Sequence, residues 1–175
     1  MTEPLTGKQW SSDLAGEAYK NLLYTLTLGL EAQLVYEVGV RRGRSTEAIL
    51  KALVKTGGRL VSCDIEDCAF VIQDLELRVR WTFYHMDSAK FATLWQKPGD
   101  MIYIDGSHEY PDVWGDVTGL WPRLKVGGLM VLHDTDLPGP GRVLTKLSHL
   151  GLEVVELPFA RRFGIVHKRR EEMRL

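Results

Sequence analysis

Two short stretches hold the residue types from which a reactive site can be built. Met101 to Tyr110, MIYIDGSHEY, is an apolar, β-prone run that stops at Asp105 and turns through Gly106 and Ser107 to His108. About a helix and a strand later, Gly127-Gly128 and the run LMVL lead to His133, Asp134, Thr135 and Asp136. As buried strands of one parallel sheet, these runs would carry Asp105, His108, His133, Asp134 and Asp136 into one crevice at their carboxyl ends, where open α/β sheets bind ligands. Two carboxylates on adjacent strand ends offer the hard oxygens that a divalent cation prefers. A cation held there could bind a hydroxyl and lower its pKa, and a nearby imidazole could take the proton. The same aspartates also suit helix caps, and His108, His133, His85 and His149 also suit surface or packing roles, so residue type alone leaves both readings standing.

A third stretch, Glu37 to Thr46, reads E-V-G-V-R-R-G-R-S-T. Gly39 and Gly43 permit a tight turn and close ligand approach, and Ser45 is placed to cap a helix whose apolar face is Ala48, Ile49, Ala52 and Leu53. A strand, a glycine turn and a helix start make a site for a polar ligand. About one βαβ step later Asp64 closes a strand, in the position of an acid that accepts hydrogen bonds from ribose hydroxyls. Asp87 and Ser88 follow a further strand, where they either reach a purine edge or cap the next helix.

These residues need a scaffold, and the apolar pattern supplies one. Leu14, Ala18, Leu22, Leu26 and Leu30 recur every four positions and predict an amphipathic leading helix from about Asp13 to Leu30. Strands are expected over Gln33–Val38, Arg59–Cys63, Trp81–His85, Met101–Ile104 and Leu129–Leu132, with Val154–Leu157 and Phe163–Val166 as a closing hairpin. Helical segments are expected around Phe70–Val79, after Met86, along the face Val113, Val117, Leu120, Trp121 and Leu124, and over Val143–Leu150. Lys125 to Gly128 reads as a turn, and LPGPG at Leu137 to Gly141 as a loop. The alternation predicts an α/β fold, Rossmann-like and doubly wound, with a mostly parallel seven-stranded sheet and a terminal antiparallel hairpin. One domain is expected over 1–175: leading helix 1–31, core 32–168, and a solvated tail 169–175.

The 175 residues carry 22 basic and 23 acidic side chains, a balance that favours no nucleic acid partner and no acidic membrane surface. Cys63 and Cys68 suit reduced, cytoplasmic thiols better than a zinc site or a disulfide framework. The opening MTEPLTGKQW lacks the basic and apolar segments of a signal, and no apolar run reaches the ~18 residues of a spanning helix.

Glu37, Gly39, Gly43, Asp64, Asp105, His108 and Asp134, in this order, resemble the layout of class I S-adenosylmethionine-dependent methyltransferases over roughly Gln33 to His167. More narrowly, IDGSHEY followed by a helix, LKVGG and HDTD resembles the metal-dependent small-molecule O-methyltransferases of the macrocin and mycinamicin type, and more distantly catechol-type enzymes. The resemblance implies that Glu37, Gly39, Gly43 and Ser45 hold the amino acid moiety of S-adenosylmethionine. It places Asp64 on the ribose and Asp87 with Ser88 at the adenine. It assigns Asp105 and Asp134 to a divalent metal, magnesium or manganese, and His108 to the general base. His133 stands where such relatives carry an acidic ligand, so the metal set becomes Asp105, His133 and Asp134, with preference moved from magnesium toward manganese, iron or zinc. The implied acceptor is a small hydroxylated molecule, a sugar or a phenol. The chain has little besides its leading helix to cover an acceptor, and a second subunit, in a homodimer, is one way to complete the pocket.

Two other classes fit parts of the pattern. The same fold methylates macromolecules, although no Asn-Pro-Pro-Tyr or Asp-Pro-Pro-Tyr run occurs here. A binding module could keep the nucleoside or metal pocket without methyl transfer. A dinucleotide-dependent dehydrogenase fits less well, because its loop would read G-x-G-x-x-G where this one reads G-V-R-R-G.

Overall fold

The computed structural model describes residues 12–94, 96–158 and 162–170, with side chains from residue 17 onward. The expectations for the first eleven residues, for the side chain of Leu14, for Arg161 and for the end of the tail lie outside the described residues.

Helix α1 (Ser12–Gly29) leads into β1 (Leu34–Val38), α2 (Arg44–Thr56), β2 (Arg59–Asp64), α3 (Leu75–Arg78) and β3 (Trp81–His85). Then follow α4 (Ser88–Leu94), β4 (Gly99–Ile104), α5 (Tyr110–Leu120), β5 (Leu124–Leu132), α6 (Pro138–His149), β6 (Glu153–Leu157) and β7 (Phe163–His167). Among the described residues seven strands form one sheet in the order β3-β2-β1-β4-β5-β7-β6, parallel except for β7, which runs antiparallel to both of its neighbours. This is the fold class expected from the alternation of apolar runs.

Side-chain parity along the strands divides the core into two layers. In β4, Ile102 and Ile104 face the side where α4, α5 and α6 contribute Phe91, Val113, Val117 and Val143. Met101 and Tyr103 face the other side, where α1 and α2 contribute Leu23, Ile49, Leu50 and Leu53. Each fully buried aliphatic side chain of this kind contributes about 1.5–3 kcal/mol.

Four local expectations differ from the structure. The segment around Phe70 to Val79 is helical only over Leu75–Arg78, where the Asp74 carboxylate caps the turn by accepting from Glu76 N. Before that turn, Cys68 and Ile72 tuck into the core while Phe70 stays exposed, an i, i+4 spacing that imitates a helix although turns and bends occupy the segment. LPGPG is not a loop: α6 begins at Pro138, whose missing N–H costs nothing in a first turn. Lys125 to Gly128 belongs to β5, which begins at Leu124. Ser45 is not the cap of α2 either, since Gly43 precedes the first helical residue and makes no side-chain cap bond.

Among the described residues, no helix is long and apolar enough to cross a membrane.

Candidate functional site

Strand order changes direction between β1 and β4, so the two connections leaving their carboxyl ends run to opposite faces and a crevice opens between them. The parallel ladder continues one residue past the strands: Asp105 N donates to Val38 O at 2.8 Å, Gly39 N to Cys63 O at 3.0 Å, and His133 N to Ile104 O at 3.1 Å. The chemical residues therefore leave the sheet from fixed backbone positions. Gly39 has φ +89, and a Cβ there would stand 2.2 Å from the Asp105 carbonyl oxygen. Only glycine lets the β1 loop pass so close to the end of β4.

The crevice contains a cavity of about 720 Å³. Gly39 and Arg41 of the glycine loop, Asp64 and Glu66 after β2, Asp87 and Ser88 after β3, Asp105 and Ser107 after β4, and Asp116 of α5 line it. Of the residues expected to hold a nucleoside, Gly39, Asp64, Asp87 and Ser88 thus come together.

Glu37, Gly43 and Ser45 do not line this cavity. Glu37 is fully buried and accepts hydrogen bonds from the hydroxyls of Ser45 at 2.7 Å, Thr46 at 2.9 Å and Ser62 at 2.6 Å. Burial raises its pKa to about 7 against the opposing pull of those three bonds. It ties β1 to the start of α2 and to β2. A Cβ on Gly43, at φ +72, would meet the Val71 side chain at 2.7 Å, so this glycine seats the loop on its neighbour.

Asp64 does more than face a ligand. Its Oδ2 accepts from the amides of Val40 at 2.7 Å and Arg41 at 2.9 Å, and Oδ1 accepts from Glu66 N at 2.9 Å. Burial opposes the charge, yet these amide bonds outweigh it and hold the carboxyl below its usual range. Oδ2 is filled by its two amides, so the acceptor capacity that is left for a ligand hydroxyl lies on Oδ1. Asp87 caps α4 by accepting from Lys90 N at 2.8 Å, so the capping reading of that residue holds alongside its place in the cavity wall.

Beside the cavity, the ends of β4 and β5 place Asp105, His108 and Asp134 with one potential ligand atom each, all within 4.8 Å of one another. His108 Nε2 lies 2.8 Å from Asp134 Oδ2. Asp134 adopts a left-handed backbone, φ 53, which aspartate tolerates better than most residues. His133 sits differently from His108. Its Nδ1 lies 3.2 Å from Asp105 Oδ1 and 3.1 Å from Asp134 Oδ1, while its ring packs against Phe163 with centroids 4.7 Å apart and against Tyr19 at 5.6 Å. Burial disfavours the imidazolium, but hydrogen bonds to the two aspartates and their charges prevail and raise its pKa to about 9. Tyr103 Oη donates to Asp105 Oδ2 at 3.0 Å and fixes that carboxylate from below. Asp105, His108 and Asp134 thus form the group that could share one ion, while His133 Nδ1 bridges the two carboxylates from the aromatic side.

Asp116 is absent from the apolar face that the sequence suggests for its helix, yet it is buried there. Its spacing from Val113 (three residues) and Leu120 (four) does put it on that face, a signal that was available.

The sequence profile of a family described as "Methyltransferase domain" matches residues 36–135. Among curated proteins no significant match was found. Among solved structures, the O-methyltransferase TomG from Streptomyces achromogenes, involved in tomaymycin synthesis and crystallised with S-adenosylmethionine, is similar with a TM-score of 0.70 and 18% identity, over 87% of this chain and 80% of that one. The methyltransferase PaMTH1 of Podospora anserina, bound to S-adenosylhomocysteine, is similar with a TM-score of 0.70 and 14% identity, over 93% and 84%. A methyltransferase from Geobacter sulfurreducens gives 0.70 and 17%, over 97% and 92%.

Proposed function

The chain belongs to the methyltransferase-domain family, and from that membership we propose that it moves the methyl group of S-adenosylmethionine to a hydroxyl of a small molecule such as a sugar or a phenol, with help from a divalent metal. The observation that carries the acceptor half of this reading is the convergence of Asp105, His108 and Asp134 beside the nucleoside-sized cavity. It also supports the narrower likeness to the macrocin-type branch.

In the transfer, the acceptor oxygen attacks the methyl carbon in line with the carbon–sulfur bond. That bond breaks with its electron pair going to sulfur, and the hydroxyl proton leaves to a base. Positioning supplies much of the acceleration of such a step. The cavity lining from Gly39 to Asp64 and Asp87 would hold the donor, and the glycine loop is already fixed by the Asp64 carboxylate. His108 is placed as the base. With Nε2–H donating to Asp134 at 2.8 Å, its Nδ1 is left to accept the proton, and Asp134 stabilises the imidazolium that forms.

The carboxylates of Asp105 and Asp134, grouped with His108 within 4.8 Å, supply the hard oxygens that a divalent cation prefers. Asp105 and Asp134 would hold it, and its chemistry there is to bind the acceptor hydroxyl and lower its pKa. One observation favours a metal-independent form of the same transfer: His133 already lies within 3.2 Å of both carboxylates, where an imidazolium offsets their charge.

The test is calorimetric titration of S-adenosylmethionine and S-adenosylhomocysteine into metal-free protein, repeated with magnesium and manganese, followed by transfer assays on hydroxylated acceptors with and without a chelator. Binding of both nucleosides and chelator-sensitive transfer are expected. Transfer that persists undiminished under chelation selects the metal-independent form. Nucleoside binding with no transfer to any acceptor leaves a binding module, and no binding under any condition removes the donor.

A further inference from the structure

The turn that carries Asp134 is held by contacts that none of the foregoing roles uses. The ladder of β5 ends where His133 N donates to Ile104 O, and Asp134 then turns the chain with φ 53. Of the four described non-glycine residues with positive φ, Asp134 and Arg162 are two, and one set of contacts joins their surroundings. Thr135 N donates to Arg162 O at 3.3 Å, and the Thr135 hydroxyl donates to Glu156 Oε1 at 3.1 Å. Glu156 Oε2 in turn lies 3.6 Å from the Arg162 guanidinium. These contacts close a ring through the β5–α6 turn, β6 and the residue that precedes β7.

We propose that Thr135 and Glu156 are positioning residues for the transfer: the hydroxyl–carboxylate bond between them sets the direction in which Asp134 meets His108. The proposal rests on the reading of Asp134 as the partner of the His108 base. A left-handed aspartate is tolerated rather than preferred, so its neighbours must hold it in place. Both bonds made by Thr135 are long for their type, whose usual distances are about 2.9–3.0 Å for N–H···O and about 2.7–2.8 Å for O–H···O. Neither bond fixes the turn alone, and the loss of one is felt. Thr135 is 4% exposed, so a hydroxyl deprived of Glu156 has little water to turn to. On the helix side the turn is already tight, since a Cβ on Gly141 would stand 2.7 Å from the Thr135 carbonyl oxygen.

Stability is a poor account of the ring. The Glu156 and Arg162 side chains are 40% and 53% exposed, and an ion pair so open to water adds little to the fold. Its effect on direction is larger. Asp134 Oδ2 must reach His108 Nε2, at 2.8 Å, while Oδ1 stays 3.1 Å from His133 Nδ1. A carboxylate shared between two imidazoles tolerates little rotation of the residue that bears it, and Thr135 is the next link in that residue's backbone. A small misplacement of catalytic groups is enough to slow a reaction strongly while leaving binding intact.

The experiment pairs a removing with a retaining substitution at each position. Thr135→Val keeps the shape and loses the hydroxyl, whereas Thr135→Ser keeps the hydroxyl. Glu156→Ala loses the acceptor, whereas Glu156→Gln keeps one. The removing pair should slow transfer by about 10- to 10²-fold, and the retaining pair should stay within about 3-fold of wild type. Affinity for S-adenosylhomocysteine and the acceptor KM should be unchanged in all four, a split that a loosened fold does not give. Crystal structures of Thr135→Val and Glu156→Ala supply a readout that needs no turnover: the contact between His108 Nε2 and Asp134 Oδ2 should open beyond hydrogen-bond reach. A contact that persists in either variant overturns the proposal, as does wild-type turnover in either, or equal slowing in the retaining pair. If wild type methylates no acceptor, the proposed reaction fails, and the two crystal structures alone decide whether Thr135 and Glu156 position Asp134.

Discussion

Replacing Glu37 by glutamine should remove a pH-dependent component from the stability of the fold. The carboxyl is fully buried, and although Ser45, Thr46 and Ser62 all donate to it, burial outweighs them and lifts its pKa from 4.5 to about 7. The folded protein therefore keeps the Glu37 proton to higher pH than the unfolded chain does. Its contribution to stability is complete below pH 4.5, declines as pH rises, and is gone above about 7. At ~1.4 kcal/mol per pH unit the whole decline is about 3 kcal/mol. Glutamine has nearly the same shape and no titration, so its curve lacks that decline. The exchange also carries a roughly pH-independent penalty of about 1 kcal/mol, because Ser62 Oγ already accepts from Trp81 Nε1 and cannot easily reverse its bond to position 37. Urea denaturation of both proteins at several pH values from ~4.5 to ~8 measures the difference, in which the titrations of all other groups cancel. Relative to wild type, Glu37→Gln should gain about 3 kcal/mol across that range. Two curves that stay parallel would refute the reasoning, by showing that the three hydroxyls suffice to keep the buried carboxylate charged.

Asp64→Ala should weaken S-adenosylhomocysteine binding by about 10- to 100-fold, since it removes both a ligand-facing acceptor and the anchor of two loop amides; equal affinity by calorimetry would count against it. His108→Ala should leave donor affinity unchanged and slow transfer by about 10²- to 10⁴-fold, with unchanged turnover as the contrary result. If metal affinity also drops in that variant, His108 is a ligand rather than the base. Gly139→Ala should act on the same step from a distance. A Cβ there would lie 2.0 Å from the His108 carbonyl oxygen, so the DGSH turn must shift. Transfer should fall with donor binding intact, and a variant with wild-type turnover would show that the turn accommodates the methyl group freely.

The architecture was legible because its signals are local. Each buried strand is a short apolar run ending in a charged or turn residue, and each end falls where the chain must leave the sheet. The errors arose where a residue's reason lies elsewhere in the fold. Gly139 and the two prolines around it look like a loop in isolation, yet the glycine is needed for contact with the His108 carbonyl and Pro138 simply starts a helix. Glu37 resembles a ligand-binding acid, and its inward orientation becomes evident only once Ser45 and Thr46 of α2 and Ser62 of β2 meet around it. The pairing of His108 with Asp134, and the position of His133 between Asp105 and Asp134, depend on side-chain directions after the strands end, which residue order does not encode.

The Asp64 carboxylate fixes the amides of Val40 and Arg41 before any ligand arrives. The ordering entropy of the glycine loop is therefore incurred when the chain folds and is absent from the binding equilibrium. Loading of a nucleoside becomes an encounter with a rigid cradle, so its association rate should change little with solvent viscosity beyond the diffusional effect, and the two amides should exchange slowly with deuterium even in the empty protein.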